Sequence, residues 1–200
     1  NKLEKYNGCI LADSVGLGKT FTALAVMKYY QDQGYEVVLL CPKKLENNWT
    51  QYLRRKDSRF EKDEFDYIVR FHTDLDGKDN PRLERAYADA PLHWLQDRSK
   101  LLLVIDESHN LRNEKSNRYI NLLEKLVKNC KDVPNRDFKV LQLSATPINN
   151  SFDDIKSQFN LIAQGDDTAF RREEFELPSL INIFTTISKK FKLSLKEVFT

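Results

Sequence analysis

A three-layer α/β domain, with a mostly parallel sheet and helices on both faces, is predicted by three observations. Five short, almost uninterrupted apolar runs are bounded by turn residues. Helix-period segments separate them, and the first run leads through a glycine-bearing loop straight into the first helical pattern. Strands buried on both faces lose the apolar–polar alternation of a half-exposed strand and read as continuous hydrophobic stretches.

The first run, Cys9 to Ala12, is followed by a helical pattern from Lys19 to about Gln33, with Ala23, Val26, Met27 and Tyr30 on one stripe and Gly34 placed to end it. Val37 to Cys41 is the second run. Residues 52–66 are dense in charge and are expected to be a solvated helix end or loop. Tyr67 to Phe71 is the third run, and a helical segment is expected around Leu83 to Leu95. The fourth run, Leu101 to Ile105, is wholly apolar. Residues 115–130 follow as an amphipathic helix, with Ile120, Leu123, Leu126, Val127 and Cys130 inward, Lys125 and Lys128 outward, and Pro134 beyond the end. Val140 to Ser144 is the fifth run. From Arg171 to Thr200 the sequence holds two amphipathic fragments and no further strand. The domain is therefore expected over residues 1–165, with 166–200 as a helical extension.

Composition narrows the possibilities. Forty per cent hydrophobic residues with 31% charged ones, and only six glycines and six prolines, exclude disordered and collagen-like chains. No apolar stretch approaches the roughly 18 residues needed to cross a bilayer, so no membrane partner is expected. Cys9, Cys41 and Cys130 form no C-x-x-C pair, which argues against a zinc or disulfide framework and suits the cytoplasm. The net charge of +2 neither requires nor excludes a polyanionic partner, because binding needs a local basic surface and not a basic average. The sequence opens at Asn1 and reaches its first strand within about eight residues, as expected of a segment of a longer polypeptide.

The residues best suited to chemistry follow the strands. Asp13-Ser14-Val15-Gly16-Leu17-Gly18-Lys19-Thr20 would turn backbone N–H groups and a helix N-terminus toward one point, a cradle for polyphosphate. Gly16 and Gly18 would let the backbone approach the ligand. Lys19 would reach the β and γ phosphates, and the Thr20 hydroxyl would help hold Mg²⁺. The strict pattern G-x-x-x-x-G-K-[ST] wants glycine where this chain has Asp13, but strand before and helix after support the assignment. Asp106 and Glu107 end the fourth strand, Asp106 as the Mg²⁺ partner and Glu107 as the base or water-orienting group. Ser144-Ala145-Thr146-Pro147 ends the fifth, where small hydroxyl residues could bond both to the acidic pair and to a moving neighbour.

Taken in order, these segments resemble the first RecA-like domain of a superfamily 2 helicase-type ATPase, and more narrowly the SNF2 family of DNA-dependent translocases, over roughly residues 7–160. Residues 12–20 are similar to that family's motif I, which usually has Asp-Glu in place of Asp13-Ser14. Val38 to Leu45 with Asn48-Trp49 resembles motif Ia, Asp106-Glu107-Ser108-His109 motif II, and Leu143 to Asn150 motif III. The resemblance implies ATP and Mg²⁺ as cofactors and double-stranded DNA as partner. It implies DNA contacts at Pro42, Lys43, Lys44, Asn48 and Trp49, with His72 and Thr73 nearby, and coupling of ATP to movement through His109, Ser144, Ala145 and Thr146. Lysines after a strand suit sequence-independent phosphate contacts.

The same resemblance implies that motifs IV to VI, with the arginine fingers, belong to a second RecA-like domain, and that the adenine-recognising glutamine lies upstream of motif I. These 200 residues alone are therefore expected to hydrolyse ATP barely or not at all. Two other readings stay open on the sequence: a strand-separating DNA or RNA helicase of superfamily 2, and a nucleotide-binding scaffold module without turnover.

Overall fold

The computed structural model describes residues 2–14, 16–53, 60–76, 98–128, 133, 135–148, 152–170 and 179–198. All five expected strands form: β1 (Gly8–Leu11), β2 (Glu36–Cys41), β3 (Ile68–Phe71), β4 (Lys100–Asp106) and β5 (Asp137–Leu143). They make one sheet in the order β1-β5-β4-β2-β3, and every neighbouring pair is parallel.

The helices are α1 (Lys2–Tyr6), α2 (Lys19–Gln31), α3 (Glu46–Thr50), α4 (Asn117–Asn121), α5 (Phe152–Ile162) and α6 (Leu180–Val198). Alternate strand residues feed two cores. Val37, Leu39, Cys41, Val104 and Leu143 pack on one face with Ala23, Leu24, Met27 and Tyr30 of α2 and Trp49 of α3. Val38, Leu40, Leu103, Ile105 and Val140 pack on the other with Tyr119, Leu122, Val127 and Ile162. Each fully buried side chain of this kind contributes about 1.5–3 kcal/mol of transfer free energy, which is why both faces of the sheet must be covered. Helix α5 lies so close to β1 that a Cβ on Gly8 would sit 2.6 Å from the Ile162 side chain and 2.9 Å from the Val140 carbonyl oxygen.

Four expectations change. The amphipathic helix begins at Asn117, where the Ser116 hydroxyl caps it by accepting from the Tyr119 N–H, and from Leu122 to Lys128 it is a π-helix. Leu123 and Val127 are buried as expected, but Ile120 is 44% exposed and Tyr119 and Leu122 take the inward places beside them. Tyr119 is satisfied there, its hydroxyl donating to the Ser157 carbonyl at 2.9 Å and accepting from Asn160 at 3.0 Å. In the charged stretch 52–66, Phe60 and Phe65 turn inward against the first core, so it is anchored and not wholly solvated. Helix α5 has no counterpart in the sequence reading. In the tail, α6 runs unbroken from Leu180 to Val198, with residues 171–178 outside the described ones, and its Leu180 and Phe184 pack with Ala163 and Phe159. The expected helix around Leu83 to Leu95 lies outside the described residues, as does Cys130.

At the amino edge of the sheet a polar knot ties α1 and α2 to β5. Lys139, 2% exposed, pairs with Asp137 at 2.9 Å and Glu4 at 3.6 Å. The Tyr30 hydroxyl donates to Glu4 and the Tyr35 hydroxyl to Asp137. A buried ammonium is tolerable only with such partners. Among the described residues, no helix is long and apolar enough to cross a membrane.

Candidate active site at the carboxyl edge of the sheet

Because all five strands run parallel, everything that follows a strand emerges at one edge. There the register sets Leu11 and Asp106 beside Leu143 of β5, and the Ser144 N–H donates to the Leu11 carbonyl at 3.2 Å. The segments after β1, β4 and β5 are thus held side by side although about 130 residues of sequence separate the outer two.

The loop after β1 enters α2 through Gly16 at φ 85° and Gly18 at φ 78°, both in the left-handed region. Among the described residues, nothing beyond the adjoining positions lies within 4 Å of a Cβ built on either. Both positions call for glycine on backbone conformation alone, and the space in front of each is open on the protein side. The Lys19 ammonium folds back into the loop, donating to the Asp13 carbonyl at 2.7 Å and the Ser14 carbonyl at 3.0 Å. Thr20 is half-buried in the first turn of α2, while Ser14 and Leu17 are exposed on the loop. Val15 lies outside the described residues.

Asp106 is the last residue of β4. Its Oδ2 accepts from the Trp49 indole N–H at 2.8 Å and its Oδ1 from the Glu107 backbone N–H at 2.9 Å. Burial raises its pKa above the ordinary carboxylate value. The Trp49 hydrogen bond opposes that shift, the Glu107 charge adds to it, and the Glu107 N–H and Lys19 ammonium oppose it. Lys19 thus acts electrostatically on Asp106 from the neighbouring loop. Glu107 itself sits at φ 51°, ψ 48°, a left-handed conformation that costs a non-glycine residue about 1–2 kcal/mol. That turn leaves the Glu107 carboxylate partly exposed and 3.2 Å from Nδ1 of His109.

His109 stands between the acidic motif and the end of the last strand. Its Nδ1 is 3.3 Å from the Ser144 hydroxyl, which also accepts from the Thr146 N–H at 3.2 Å. Ser144 is fully buried, Ala145 half-buried and Thr146 exposed, so the chain of contacts runs from Glu107 to the surface. A second connection escaped the sequence reading. Gln158 of α5, fully buried, accepts from the Ser108 hydroxyl at 3.0 Å and donates to the Pro147 carbonyl at 2.7 Å. The signal that could have found it is a glutamine on the inward stripe of an amphipathic helix, where an apolar residue is the norm.

The residues expected at a nucleic-acid face divide. Lys43, Lys44 and Asn48 are exposed and Pro42 half-buried in the segment after β2, and Thr73 is exposed after β3. Lys43 pairs with Glu46 at 2.7 Å and lies 3.9 Å over the Phe71 ring. Trp49 and His72 are not on that face. Trp49 is 1% exposed, its indole turned in to Asp106 and its carbonyl accepting from the Tyr67 hydroxyl at 2.6 Å. His72 is 3% exposed, and its Nε2 has no hydrogen-bond partner among the described residues.

Desolvation lowers the His72 pKa to about 4, the nearby Arg118 and His109 adding to the effect and the Leu40 and Asp106 backbone groups opposing it. The unfolded chain therefore takes up a proton near pH 6.5 that the folded chain refuses until about pH 4. Stability supplied by neutral His72 is complete above pH 6.5 and falls as the pH drops toward 4, by on the order of 3 kcal/mol. Urea unfolding of His72→Asn should show a shallower loss of stability over that window than the unmodified chain. An identical slope would contradict the assignment.

The donors at this edge fit a magnesium nucleotide. They are all oxygen, a hydroxyl at Thr20 and a carboxylate at Asp106, and magnesium is held in such sites by one or two carboxylates plus the phosphates themselves. Left-handed glycines with open space, a lysine lodged in the loop and a carboxylate within its field form the strand–loop–helix arrangement of a P-loop fold with RecA-like architecture. The family described as "Type III restriction enzyme, res subunit" matches residues 2–149, and the chain belongs to it.

Among curated relatives, the chain is 31% identical over 173 residues to the uncharacterized ATP-dependent helicase YqhH of Bacillus subtilis, covering 80% of this chain and 27% of that protein. It is 29% identical over 177 residues to chromodomain-helicase-DNA-binding protein 1-like of Danio rerio, covering 80% and 16% respectively. The fold is similar to that of the Sulfolobus solfataricus SWI2/SNF2 ATPase core in complex with dsDNA, with TM-score 0.52, 22% identity and coverage of 79% of this chain and 32% of that one. The chain thus spans about a quarter or less of the curated relatives named here.

Proposed function

We propose that the chain is the ATP- and Mg²⁺-binding half of a DNA-dependent motor of SNF2 type, which hydrolyses ATP to drive movement on double-stranded DNA together with a second RecA-like domain. The observation that carries this is the convergence of Lys19, Asp106 and Glu107 at one sheet edge, with Glu107 joined through His109 to Ser144. Two further facts support it: both curated relatives are named as helicases, and the structural neighbour is in complex with dsDNA.

In this reading Lys19 exchanges its two loop carbonyls for β- and γ-phosphate oxygens, and Thr20 and Asp106 hold magnesium. The metal, when bound, neutralises phosphate charge as it develops. The Glu107 carboxylate orients the attacking water and draws on its proton. A change of charge on Glu107 alters its hold on His109 and, through Ser144, the Thr146 N–H at the surface. Pro42, Lys43, Lys44, Asn48 and Thr73 supply the DNA face, by backbone contacts without sequence readout. The cytoplasm is the compartment that the cysteine usage suits.

The test is phosphate release by these 200 residues with and without duplex DNA, then with a polypeptide that also carries the second RecA-like domain. Turnover near background in the first case and DNA-stimulated turnover in the second are expected, since an arginine finger is worth about 10³- to 10⁵-fold. Robust DNA-stimulated turnover by the 200 residues alone would overturn the division of labour.

A further inference from the structure

We infer that Trp49 is a positioning residue for the metal-holding carboxylate of Asp106. This deepens the proposed function and rests on it, in that Asp106 must be a magnesium partner for the orientation to matter.

Three features of the pair carry the inference. An indole has a single hydrogen-bond donor and no acceptor, and this one is spent on Oδ2 of Asp106 at 2.8 Å, in a side chain 1% exposed. The other carboxylate oxygen, Oδ1, accepts from the Glu107 N–H at 2.9 Å. With one fixed donor on each oxygen the carboxylate plane cannot rotate, and each oxygen keeps a lone pair for a ligand. The indole is itself immobilised: its ring belongs to the core against the sheet, and the Trp49 carbonyl is held by the Tyr67 hydroxyl at 2.6 Å.

The geometry also says which segment controls the carboxylate. Trp49 follows directly on the exposed residues Asn47 and Asn48 in a helix only five residues long. A shift of that helix carries the indole with it, and a buried N–H gives up its only acceptor at a steep cost. Whatever moves the surface around Asn48 therefore moves Oδ2.

The experiment compares the unmodified chain with Trp49→Phe, which keeps an aromatic ring in the core and removes the N–H. Binding of a fluorescent ADP analogue is measured across a magnesium titration and again with the metal chelated. The half-saturating magnesium concentration is expected to rise about tenfold in the variant, as removal of an outer hydrogen-bond partner does at metal sites, while metal-free nucleotide binding stays unchanged. A purely structural role would weaken both conditions alike or neither, and either result would overturn the inference.

A second measurement leaves Trp49 in place. The chain has two tryptophans, so Trp94→Phe leaves Trp49 as the only indole. Its emission should shift when magnesium and ADP are added together and not when ADP is added with chelator. An emission unmoved by magnesium while nucleotide binds would refute the link. If the unmodified chain binds no nucleotide, the proposed function fails first and this inference falls with it.

Discussion

Lys19→Ala is expected to weaken magnesium-nucleotide binding by about 10- to 100-fold, the equivalent of one hydrogen bond from a charged donor worth about 1.5–3 kcal/mol. The lysine is lodged between the Asp13 and Ser14 carbonyls, at distances of 2.7 and 3.0 Å. Phosphate oxygens would replace those neutral acceptors with charged ones, so the bound state gains more from the ammonium than the free state does. The fold should tolerate the change. Helix α2 is held by Ala23, Leu24, Met27 and Tyr30, all buried, whereas the Lys19 ammonium bonds to the loop. Calorimetric titration with ADP and magnesium, beside a thermal melt, separates the two effects. Equal affinity in the variant would mean that the loop is structural only.

Glu107→Gln is expected to lower ATP hydrolysis by about 10²- to 10⁴-fold, the usual worth of a positioned general base, with nucleotide binding retained. Glutamine has the same shape and meets the same left-handed backbone at φ 51°, so the turn should survive. What disappears is the carboxylate charge that faces His109 Nδ1 at 3.2 Å. Single-turnover phosphate release should be measured in a polypeptide that carries both RecA-like domains, with nucleotide affinity determined in parallel. A rate loss matched by an equal loss of affinity would assign Glu107 to binding, and no rate loss would remove it from the chemistry.

The strands were legible because a doubly covered strand needs apolar residues at every position, and the run Leu101 to Ile105 has them. The loop before α2 was legible for a similar reason: positive φ at positions 16 and 18 calls for glycine, and a lysine at the helix start has few other uses there. The inward stripe after Ser116 was only half legible. Periodicity placed Leu123 and Val127 correctly but put the apolar Ile120 inward, whereas Tyr119 is buried there because its hydroxyl finds partners in Ser157 and Asn160 of α5. Helix α5 went unseen although its Gln158 joins two of the motifs, because its inward positions include polar groups whose partners lie 11 and 50 residues away.

Within the site, the sequence by itself determined which residues stand at the ends of β1, β4 and β5, and therefore the chemistry available there: a phosphate loop, two carboxylates and a hydroxyl cluster. Strand order and side-chain direction were left to the tertiary structure. It brought Leu11, Asp106 and Leu143 level across three strands, turned Trp49 from an expected DNA contact into a hydrogen-bond donor for Asp106, and enclosed His72. The physical reason is range. Backbone conformation and burial period are set within a few residues, whereas the exposure of a single side chain depends on a partner such as Asp106, 57 residues from Trp49 in sequence and 2.8 Å away in space.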